Sequence, residues 1–389
     1  MKILHIINNL NTGGAELVLA RLLSAPVSSS YHHAVLSLGP EGPVADLLRA
    51  AGIPLSFGGM RADASAPRAL RRCLHMAHEG RPDLIVAWLY HSCLFAELSA
   101  ATARQRPPVV WAIHHSLATR VSTKRTTRAV FTMLRCLSNR PALILYPSEA
   151  AARQHERAGF AAAATRVIPN GYDVARFAPV GIERRRQLRL RMGLDDGAVL
   201  IGMVARFHPD KGHALLFGAA ARLFPQYPLL ELVLAGRGVD PANADLMRQL
   251  AAHGIAQRTH CLGERTDPTA VAGIYQALDV YVSSSRTESF NGALAESMAC
   301  GVPAVATDVS DPARILGAAG QLVPAGNPEA LAQAIDEMLR RSAADRQALG
   351  RLARERIVSN FSLAAMAREY EQMYDSLLGG RGRIGTGPV

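Results

Sequence analysis

The sequence lacks the features that mark several large classes of protein. It contains no run of about 18 apolar residues, so no membrane-spanning helix is predicted. Its five cysteines are scattered and include no C-x-x-C pair, which favours a reducing cytoplasmic setting over a disulfide scaffold. Charged residues make up only 19%, so a disordered chain is not expected. No nucleic-acid-binding module is recognisable and aromatic residues make up only 5%, so nucleic acid is not an expected partner.

Two short motifs are missing where they would carry chemistry. The glycines that follow the first strand, in NTGGAE, do not form G-x-G-x-x-G, which leaves a nicotinamide dinucleotide site without support. No D-x-D pair occurs either, and such a pair commonly anchors a metal beside a diphosphate, so neither a metal nor another cofactor is expected. The stretch MKILHIINNLNTGGAE has a short apolar run interrupted by Asn8 and Asn9, which predicts a first strand rather than a signal peptide.

Short apolar runs alternate with helix-length segments along the whole chain. A length of 389 residues favours two domains, and strands that alternate with helices indicate parallel, doubly wound sheets. We therefore predict an α/β chain of two facing Rossmann-like domains with a cleft between them. The predicted limits are 1–175 for an N-terminal domain, 176–360 for a C-terminal domain, 361–378 for a closing helix that packs on the first domain, and 379–389 for a mobile tail.

Ligands of doubly wound sheets bind beyond the carboxyl ends of the strands, so polar residues at those ends are site candidates. After the strand DVYVSSS a helix is predicted to start at Asn291 or Gly292, and free amides at a helix start favour a phosphate. Glu288 lies in the connecting loop, and Glu296 lies roughly 6 Å along the helix, about the distance from a diphosphate to its ribose. This spacing suggests that Glu296 holds a ribose and Glu288 touches a sugar. The structural alternative is that Glu288 caps the helix and Glu296 is solvated.

Two cations follow the first predicted strand of the second domain, in the segment ARFHPDKG. When a nucleoside diphosphate departs, negative charge grows on its β-phosphate and must be met by cations or a metal. Arg206 and Lys211 are candidates for that task, Arg206 through a bidentate fork and Lys211 as a point charge. Two solvated loop cations are the alternative.

Further candidates lie at strand ends of the first domain. Gly13 and Gly14 follow the first strand and open a helix, which would allow a close backbone approach to a phosphate or an acceptor; a plain tight turn is the alternative. His114 follows the strand PVVWAI, where an imidazole could bond a sugar hydroxyl or exchange protons. His115 is its immediate rival, and a merely structural histidine is the alternative for both.

The first half of the chain is strongly basic. Residues 1–175 hold 19 Lys or Arg against 10 Asp or Glu. In the segment 116–140, Arg120, Lys124 and Arg128 recur at helical spacing beside an apolar stripe. Three readings stay open: an ordinary domain helix with a solvated face, a helix that rests on an anionic membrane, and a site for an anionic acceptor such as a lipid diphosphate.

Several of these motifs together resemble a known family. The segments ARFHPDKG, LGERTD, DVYVSSSRTESFNGALAESMACGVPAVATDVSD and IPNGYDVARF, with NTGGAE and WAIHHS before them, resemble the retaining nucleotide-sugar glycosyltransferases of family 4, which have the GT-B fold. The resemblance spans nearly the whole chain and is most specific from 199 to 326. It implies that the donor binds mainly to the C-terminal domain and the acceptor to the N-terminal one.

The resemblance also implies a role for individual residues. The diphosphate would be bound by Arg206 and Lys211, the ribose by Glu296, and the donor sugar by Glu288 and His114. The remaining implied donor contacts are the backbone amides of Phe290, Asn291 and Gly292, Arg265 beside the base, and Gly14 near the phosphates. The family's common motif reads E-G-F-G, whereas this chain has Glu288, Ser289, Phe290 and Asn291, so the local backbone and the sugar preference are expected to differ.

The predicted function is that of a retaining, metal-independent hexosyltransferase. The donor would be a nucleotide diphosphate sugar, with UDP as the commonest carrier in the family, and the acceptor a glycan or lipid-linked molecule in polysaccharide or lipopolysaccharide assembly. The expected location is cytoplasmic, with contact to the inner membrane face left open. Two alternatives remain: a nucleotide-sugar epimerase on the same fold, and a catalytically silent sugar-binding protein.

Overall fold

The computed structural model describes residues 1–25, 31–61, 65–115, 117, 125–288 and 290–379. They form two compact units, each described here by itself. Unit 1 is Met1–Gly171 together with the C-terminal segment that begins at Leu363, and unit 2 is Tyr172–Ser362. The sequence predicted the changes of domain after residues 175 and 360; the compact units change after Gly171 and Ser362. Residues 380–389 of the predicted tail lie outside the described residues.

Unit 1 is built around one parallel sheet. Its strands are β1 (Lys2–Ile7), β2 (His32–Ser37), β3 (Leu55–Phe57), β4 (Leu84–Trp88), β5 (Val109–Ala112), β6 (Leu143–Tyr146) and β7 (Thr165–Val167). Its helices are α1 (Gly14–Leu23), α2 (Val44–Ala50), α3 (Ala66–Glu79), α4 (Tyr90–Thr102), α5 (Arg125–Leu137), α6 (Glu149–Arg157) and α15 (Leu363–Leu378). The strands lie in the order β3-β2-β1-β4-β5-β6-β7.

Apolar side chains of alternating strand positions build a core on each face of this sheet. In β1, Ile3 and Ile7 pack into one cluster of buried residues, while Leu4 and Ile6 pack into the other. Such a strand is mostly apolar, because both of its faces are covered, and the buried His5 of β1 is hydrogen-bonded. The helix α15 packs against α1 and contributes Tyr370 to the first cluster.

Unit 2 repeats the plan with six parallel strands. They are β8 (Val199–Val204), β9 (Leu230–Ala235), β10 (Thr259–Cys261), β11 (Val280–Ser283), β12 (Ala304–Thr307) and β13 (Gly320–Val323). The helices are α7 (Ile182–Arg191), α8 (His213–Leu223), α9 (Ala244–Ala252), α10 (Pro268–Ala277), α11 (Gly292–Ala299), α12 (Pro312–Leu316), α13 (Pro328–Leu339) and α14 (Ala343–Phe361). The strand order is β10-β9-β8-β11-β12-β13. The direction of winding therefore reverses between β8 and β11, and ligands of doubly wound sheets bind at such a reversal.

The predicted fold class is confirmed: both units are parallel α/β sheets covered by helices on two faces. The helix α11 begins at Gly292, one of the two starting residues predicted for it. The short edge strands β3 and β7 and the 19-residue helix α14 were not predicted. In the described part of the chain, no helix is long and apolar enough to cross a membrane.

Candidate functional site

The turn that follows β8 presents Lys211 at the carboxyl edge of the sheet in unit 2. A single 3-10 turn covers Pro209–Lys211, and Gly212 follows with a φ of 67°, in the left-handed region. A Cβ on Gly212 would lie 2.0 Å from the Ser284 carbonyl oxygen. The turn after β8 thus packs directly on the end of β11, and only glycine permits this approach.

Lys211 and Glu288 form an ion pair at this edge. The Lys211 Nζ donates a hydrogen bond of 2.6 Å to Glu288 Oε1, and the side chains are 22% and 10% exposed. The Ser285 hydroxyl donates to the same oxygen at 2.8 Å. The Ser285 carbonyl in turn accepts a hydrogen bond of 2.6 Å from the Thr307 hydroxyl at the end of β12. The ends of three neighbouring strands therefore hold Glu288, although the sequence suggested neither hydroxyl.

Asn291, not Glu288, caps the helix α11. Its Oδ1 accepts from the Leu294 amide at 3.3 Å, and its Nδ2 donates to the Ser283 hydroxyl at 2.7 Å. The alternative in which Glu288 is the cap is therefore wrong. Asn291 has a φ of −83°, a conformation open to any residue, which explains why asparagine can stand here in place of the family's glycine.

Phe290 and Gly292 flank this cap. The Gly292 amide donates to the Phe290 carbonyl at 3.0 Å, so in this conformation it closes a local turn rather than pointing at a ligand. The Phe290 ring stacks on Tyr172 with 6.0 Å between centroids. A Cβ on Gly292 would lie 3.0 Å from the Tyr172 hydroxyl, so this ring limits what residue 292 can be. Ser289 lies outside the described residues.

Glu296 is not a solvated helix residue. It is half-buried in the second turn of α11, where its Oε2 accepts a hydrogen bond of 3.3 Å from the Tyr275 hydroxyl. Burial, and then the charge of Glu296, hold the pKa of Tyr275 well above its usual value, so this phenol stays protonated and acts as a donor. Burial and then the charges of Glu288 and Glu296 raise the pKa of Tyr281 as well. Both carboxylates therefore act on one buried phenol.

Two further predicted cations of unit 2 are exposed. Arg206 follows β8, and Arg265 lies in the loop after β10. Neither side chain has a hydrogen-bond or ion-pair partner within the described ranges. The loop after β9 connects their two loops through backbone hydrogen bonds. The Gly236 amide donates to the Gly263 carbonyl at 2.9 Å, and the Phe207 amide donates to the Arg237 carbonyl at 2.8 Å. Both guanidinium groups thus stand at the carboxyl edge that carries Lys211 and Glu288.

In unit 1, Gly13 and Gly14 open α1 as predicted. Gly13 is the N-cap, and a Cβ there would lie 2.3 Å from a carboxylate oxygen of Glu16. Glu16 is buried, and burial raises its pKa. A larger residue at position 13 would therefore have to displace the Glu16 carboxylate, a contact the sequence did not suggest. A Cβ on Gly14 would meet no described atom within 4 Å, so its backbone stays open to approach.

The structure separates the rival histidines His114 and His115. The His114 ring stacks on Trp88 with centroids 5.0 Å apart, and burial lowers its pKa to about 4. At neutral pH it is therefore an uncharged imidazole that both donates and accepts hydrogen bonds. His115 meets the edge of Tyr90, with centroids 5.7 Å apart, and burial lowers its pKa too.

The basic segment contains α5, but only part of it lies in the described ranges. Arg120 and Lys124 are outside them, and Arg128 is exposed on α5. The apolar stripe is used by the domain core, since Leu134 is buried and Val130 packs on the same cluster. Exposed side chains of α5 include Arg125, Arg135 and Met133. The apolar stripe is therefore not free to enter a membrane, and any lipid contact would depend on the exposed cations.

Across the residues that the structure describes, no set of three or more His, Cys, Asp or Glu side chains is placed to hold a metal ion.

Beside Lys211, His213 gives the protein a testable pH dependence. It is 4% exposed, both ring nitrogens are without a partner among the described residues, and burial followed by the Lys211 charge lowers its pKa to about 4. The unfolded value is near 6.5. As the pH falls from 6.5 towards 4 the unfolded chain binds this proton first, so the free energy of unfolding decreases, by about 2 kcal/mol at pH 5.

His213→Leu should remove that loss. The difference in free energy of unfolding, variant minus wild type, should increase by about 2 kcal/mol when the pH is lowered from 7 to 5. Urea denaturation at the two pH values measures it. His75→Leu, at an exposed position of α3, is the matched control. Parallel pH curves for His213→Leu and wild type would show that this imidazole does not titrate as inferred.

Comparison with known proteins gives a consistent result for both units. Residues 12–176 match the family described as "Glycosyltransferase Family 4", and residues 198–341 match "Glycosyl transferases group 1". The first matched segment contains Gly13, Gly14 and His114, and the second contains the strand-end residues of unit 2. Together the two segments span more than half of the chain.

Two curated relatives and one solved structure are similar to the chain. The "Lipopolysaccharide core biosynthesis mannosyltransferase LpsB" of Rhizobium meliloti (strain 1021) is 31% identical over 230 residues, covering 54% of this chain and 61% of the relative. A "D-inositol 3-phosphate glycosyltransferase" of Corynebacterium jeikeium (strain K411) is 32% identical over 221 residues, 55% of this chain and 52% of the relative. The chain thus spans little more than half the length of these relatives.

The solved structure is that of Anabaena Alr3699/HepE in complex with UDP. It superposes with a TM-score of 0.82 at 23% identity, covering 97% of this chain and all of the other. This likeness concerns the fold, and it confirms the predicted GT-B class of two parallel-sheet α/β domains.

Proposed function

Because the chain belongs to the GT-B glycosyltransferases of family 4, we propose that it moves a hexosyl unit from a nucleotide diphosphate sugar to a glycan or lipid-linked acceptor. A UDP-sugar is the proposed donor, since the structural neighbour was solved with UDP. The proposed setting is polysaccharide or lipopolysaccharide assembly, since one relative is named for lipopolysaccharide core biosynthesis. The relatives described above are transferases, so the epimerase alternative gains no support.

One observation carries this proposal: the contact between Lys211 and Glu288 at the strand ends where the winding of unit 2 reverses. A carboxylate beside a cation suits a sugar linked to a phosphate, because the carboxylate accepts hydrogen bonds from hydroxyls while the cation meets the phosphate. Glu296 lies in the second turn of α11, roughly 6 Å further along the helix, within reach of a ribose. We assign the donor sugar to Glu288, the diphosphate to Lys211 and Arg206, and the ribose to Glu296.

The proposed chemistry rests on stabilisation of the leaving group. As the bond from the sugar to the β-phosphate breaks, Lys211 and Arg206 neutralise the charge that develops on the phosphate. These two cations perform the task that a metal performs elsewhere, so we propose a metal-independent reaction. Retention of anomeric configuration follows if the departing phosphate accepts the proton of the acceptor hydroxyl on the same face.

The remaining residues receive the roles that the family likeness implies. Arg265 borders the base, and Gly14 approaches the phosphates with Gly13 in the same loop. His114, as a neutral imidazole, bonds a hydroxyl of the donor sugar. For the start of α11 we assign the phosphate contact to the Phe290 and Asn291 region. The Gly292 amide contributes only if the local turn to Phe290 opens when the donor binds.

A thermal-shift screen against UDP, GDP, ADP and their sugars tests the proposal. A nucleotide at 100 times its Kd adds about 2.7 kcal/mol to the free energy of unfolding and raises the melting temperature accordingly. The proposal requires that one base series binds as the diphosphate and that the corresponding sugar nucleotide is consumed when acceptor glycans are added. If no nucleoside diphosphate shifts the melting temperature, the silent sugar-binding alternative is favoured.

Glu296→Gln should weaken nucleotide binding about tenfold, because the amide replaces a charged acceptor of the ribose hydroxyls. Wild type should bind UDP more tightly than 2′-deoxy-UDP, and the variant should distinguish them poorly; isothermal titration measures all four affinities. Glu355→Gln, at an exposed position of α14, is the matched control. If wild type and Glu296→Gln distinguish UDP from 2′-deoxy-UDP equally well, Glu296 does not bind the ribose.

The contact with an anionic membrane is proposed for the exposed cations of α5 alone. Replacing Arg125, Arg128 and Arg135 by Glu should abolish flotation with vesicles that contain anionic lipid, since each cation is worth about 1 kcal/mol near such a surface. The matched control replaces three exposed arginines of α7, Arg184, Arg186 and Arg191. If wild type stays unbound at low salt, or the α7 variant loses as much binding as the α5 variant, α5 is not a membrane surface.

A further inference from the structure

Three rings of unit 1 form a stack that ends at His114. The His114 ring lies on Trp88, with centroids 5.0 Å apart and planes inclined by 23°. Trp88 also stacks with Tyr370 of α15, with centroids 6.1 Å apart and planes inclined by 9°. Trp88 and Tyr370 are both fully buried. The indole is thus in contact with a ring of the C-terminal helix and with the imidazole that follows β5.

Hydrogen bonds fix the orientation of the indole within its plane. The Trp88 Nε1 donates to His5 Nδ1 at 3.2 Å. Because an indole N–H only donates, His5 must carry its proton on Nε2, which then donates to His33 Nδ1 at 3.0 Å. Burial lowers the pKa of His5 well below its usual value and that of His33 to about 4, so both imidazoles are neutral and this directed pair persists at neutral pH.

A strained residue links Trp88 to the next ring along the chain. Leu89 has a φ of 70° and a ψ of 169°, a conformation that costs a branched side chain energy. It lets Trp88 pack into one core cluster while Tyr90 packs into the cluster on the other face of the sheet. The consecutive residues His114 and His115 rest on these two rings respectively.

We propose that Trp88 is a positioning residue, which holds the His114 imidazole in one orientation for hydrogen bonding to the donor sugar. This inference rests on the proposed function of His114. Face-to-face packing occupies the surface of the imidazole and leaves its two nitrogen-bearing edges for hydrogen bonds. Rotation about the His114 side chain would lose the stack, and small losses of orientation cost much in a bound reactant. Through Tyr370, the helix α15 supports the same ring.

The cover that Trp88 gives the His114 ring is measured without any turnover, from the proton titration of His114 by NMR. The His114 signal is identified by its loss in His114→Gln. In Trp88→Leu the titration midpoint of His114 should rise by at least one pH unit towards 6.5, because the covering ring is gone. Trp88→Phe keeps an aromatic ring against His114. It should therefore shift the His114 midpoint by less than half as much as Trp88→Leu does. Trp111→Phe replaces the other tryptophan, which bonds Glu97 instead, and should leave the midpoint unchanged.

Activity then separates positioning from mere stability. With saturating donor, Trp88→Leu should lower kcat about 10²-fold, whereas Trp88→Phe should retain most of it and Trp111→Phe should match wild type. An unchanged His114 midpoint in Trp88→Leu overturns the inference, and so does equal loss in Trp88→Leu and Trp111→Phe. If Trp88→Leu does not fold, the test rests on Trp88→Phe: a small displacement of the His114 midpoint, absent in Trp111→Phe, supports the inference, and an unchanged midpoint in both overturns it. Failure of the proposed function instead shows as absent turnover in wild type with the His114 midpoint still displaced by Trp88→Leu.

Discussion

Lys211→Ala should lower kcat at saturating donor by about 10²- to 10³-fold, the usual effect of removing a group that meets charge developing in the transition state. This corresponds to about 3 to 4 kcal/mol of transition-state stabilisation. The reason is positional: Lys211 is held by a turn that packs on the end of β11, and its Nζ lies 2.6 Å from Glu288. Steady-state release of nucleoside diphosphate is the measurement.

The chain has only three lysines, so another lysine can serve as a matched control for Lys211→Ala. Lys2→Ala removes an exposed lysine from β1 and should leave kcat unchanged. Lys211→Arg keeps the charge with a larger head group and should recover part of the rate. Among the described residues, Lys211→Ala leaves Glu288 with the Ser285 hydroxyl as its one side-chain hydrogen-bond partner, so the melting temperature of the variant is recorded as well. A kcat within twofold of wild type would show that Lys211 does not stabilise the leaving group.

Gly212→Ala should cost about 4 kcal/mol of unfolding free energy, at the upper end of single substitutions. The added Cβ would lie 2.0 Å from the Ser284 carbonyl oxygen, so backbone must move, and the left-handed φ adds about 1 kcal/mol. In a unit of this size the melting temperature should fall by about 10 °C. The same movement would displace Lys211, so kcat should fall too.

Gly263→Ala is the matched control for this substitution. Gly263 also has a left-handed φ, 73°, but a Cβ there meets no described atom within 4 Å. It should therefore cost only the conformational term of about 1 kcal/mol. Thermal melts of both variants measure the difference. Equal losses in the two would mean that the contact with Ser284 contributes nothing and that the turn after β8 is not packed as described.

The sequence predicted the features that depend on local pattern. Parallel strands followed from continuous apolar runs, and α11 followed from its position between the serine run and Gly301. The same spacing placed Glu288 in a loop and Glu296 on the helix. What it did not predict are partners that only the sheet brings together. Thr307 reaches Ser285 because β11 and β12 are neighbours in register, and nothing in either segment indicates that contact.

The helix α14 and the cap of α11 were missed for different physical reasons. The buried positions of α14 are Gly350, Ala353, Ile357 and Phe361, and two of these are too small to mark an apolar stripe. Asn291 stands where the family has glycine, so a different local backbone was expected. The side chain instead caps the helix with an ordinary φ, which only the structure can distinguish. The stack of His114 on Trp88 could not be predicted either, because the two residues lie at the ends of different strands that only the sheet brings together.

Recognition of the second phosphate by the edge of unit 2 is the central claim, and isothermal titration of paired nucleotides tests it most directly. Wild type should bind the diphosphate of the preferred base at least tenfold more tightly than the monophosphate, a gap of about 1.4 kcal/mol or more. The gap should shrink to near zero in the double variant Arg206→Ala with Lys211→Ala. An equal preference for diphosphate in wild type and double variant would contradict the account.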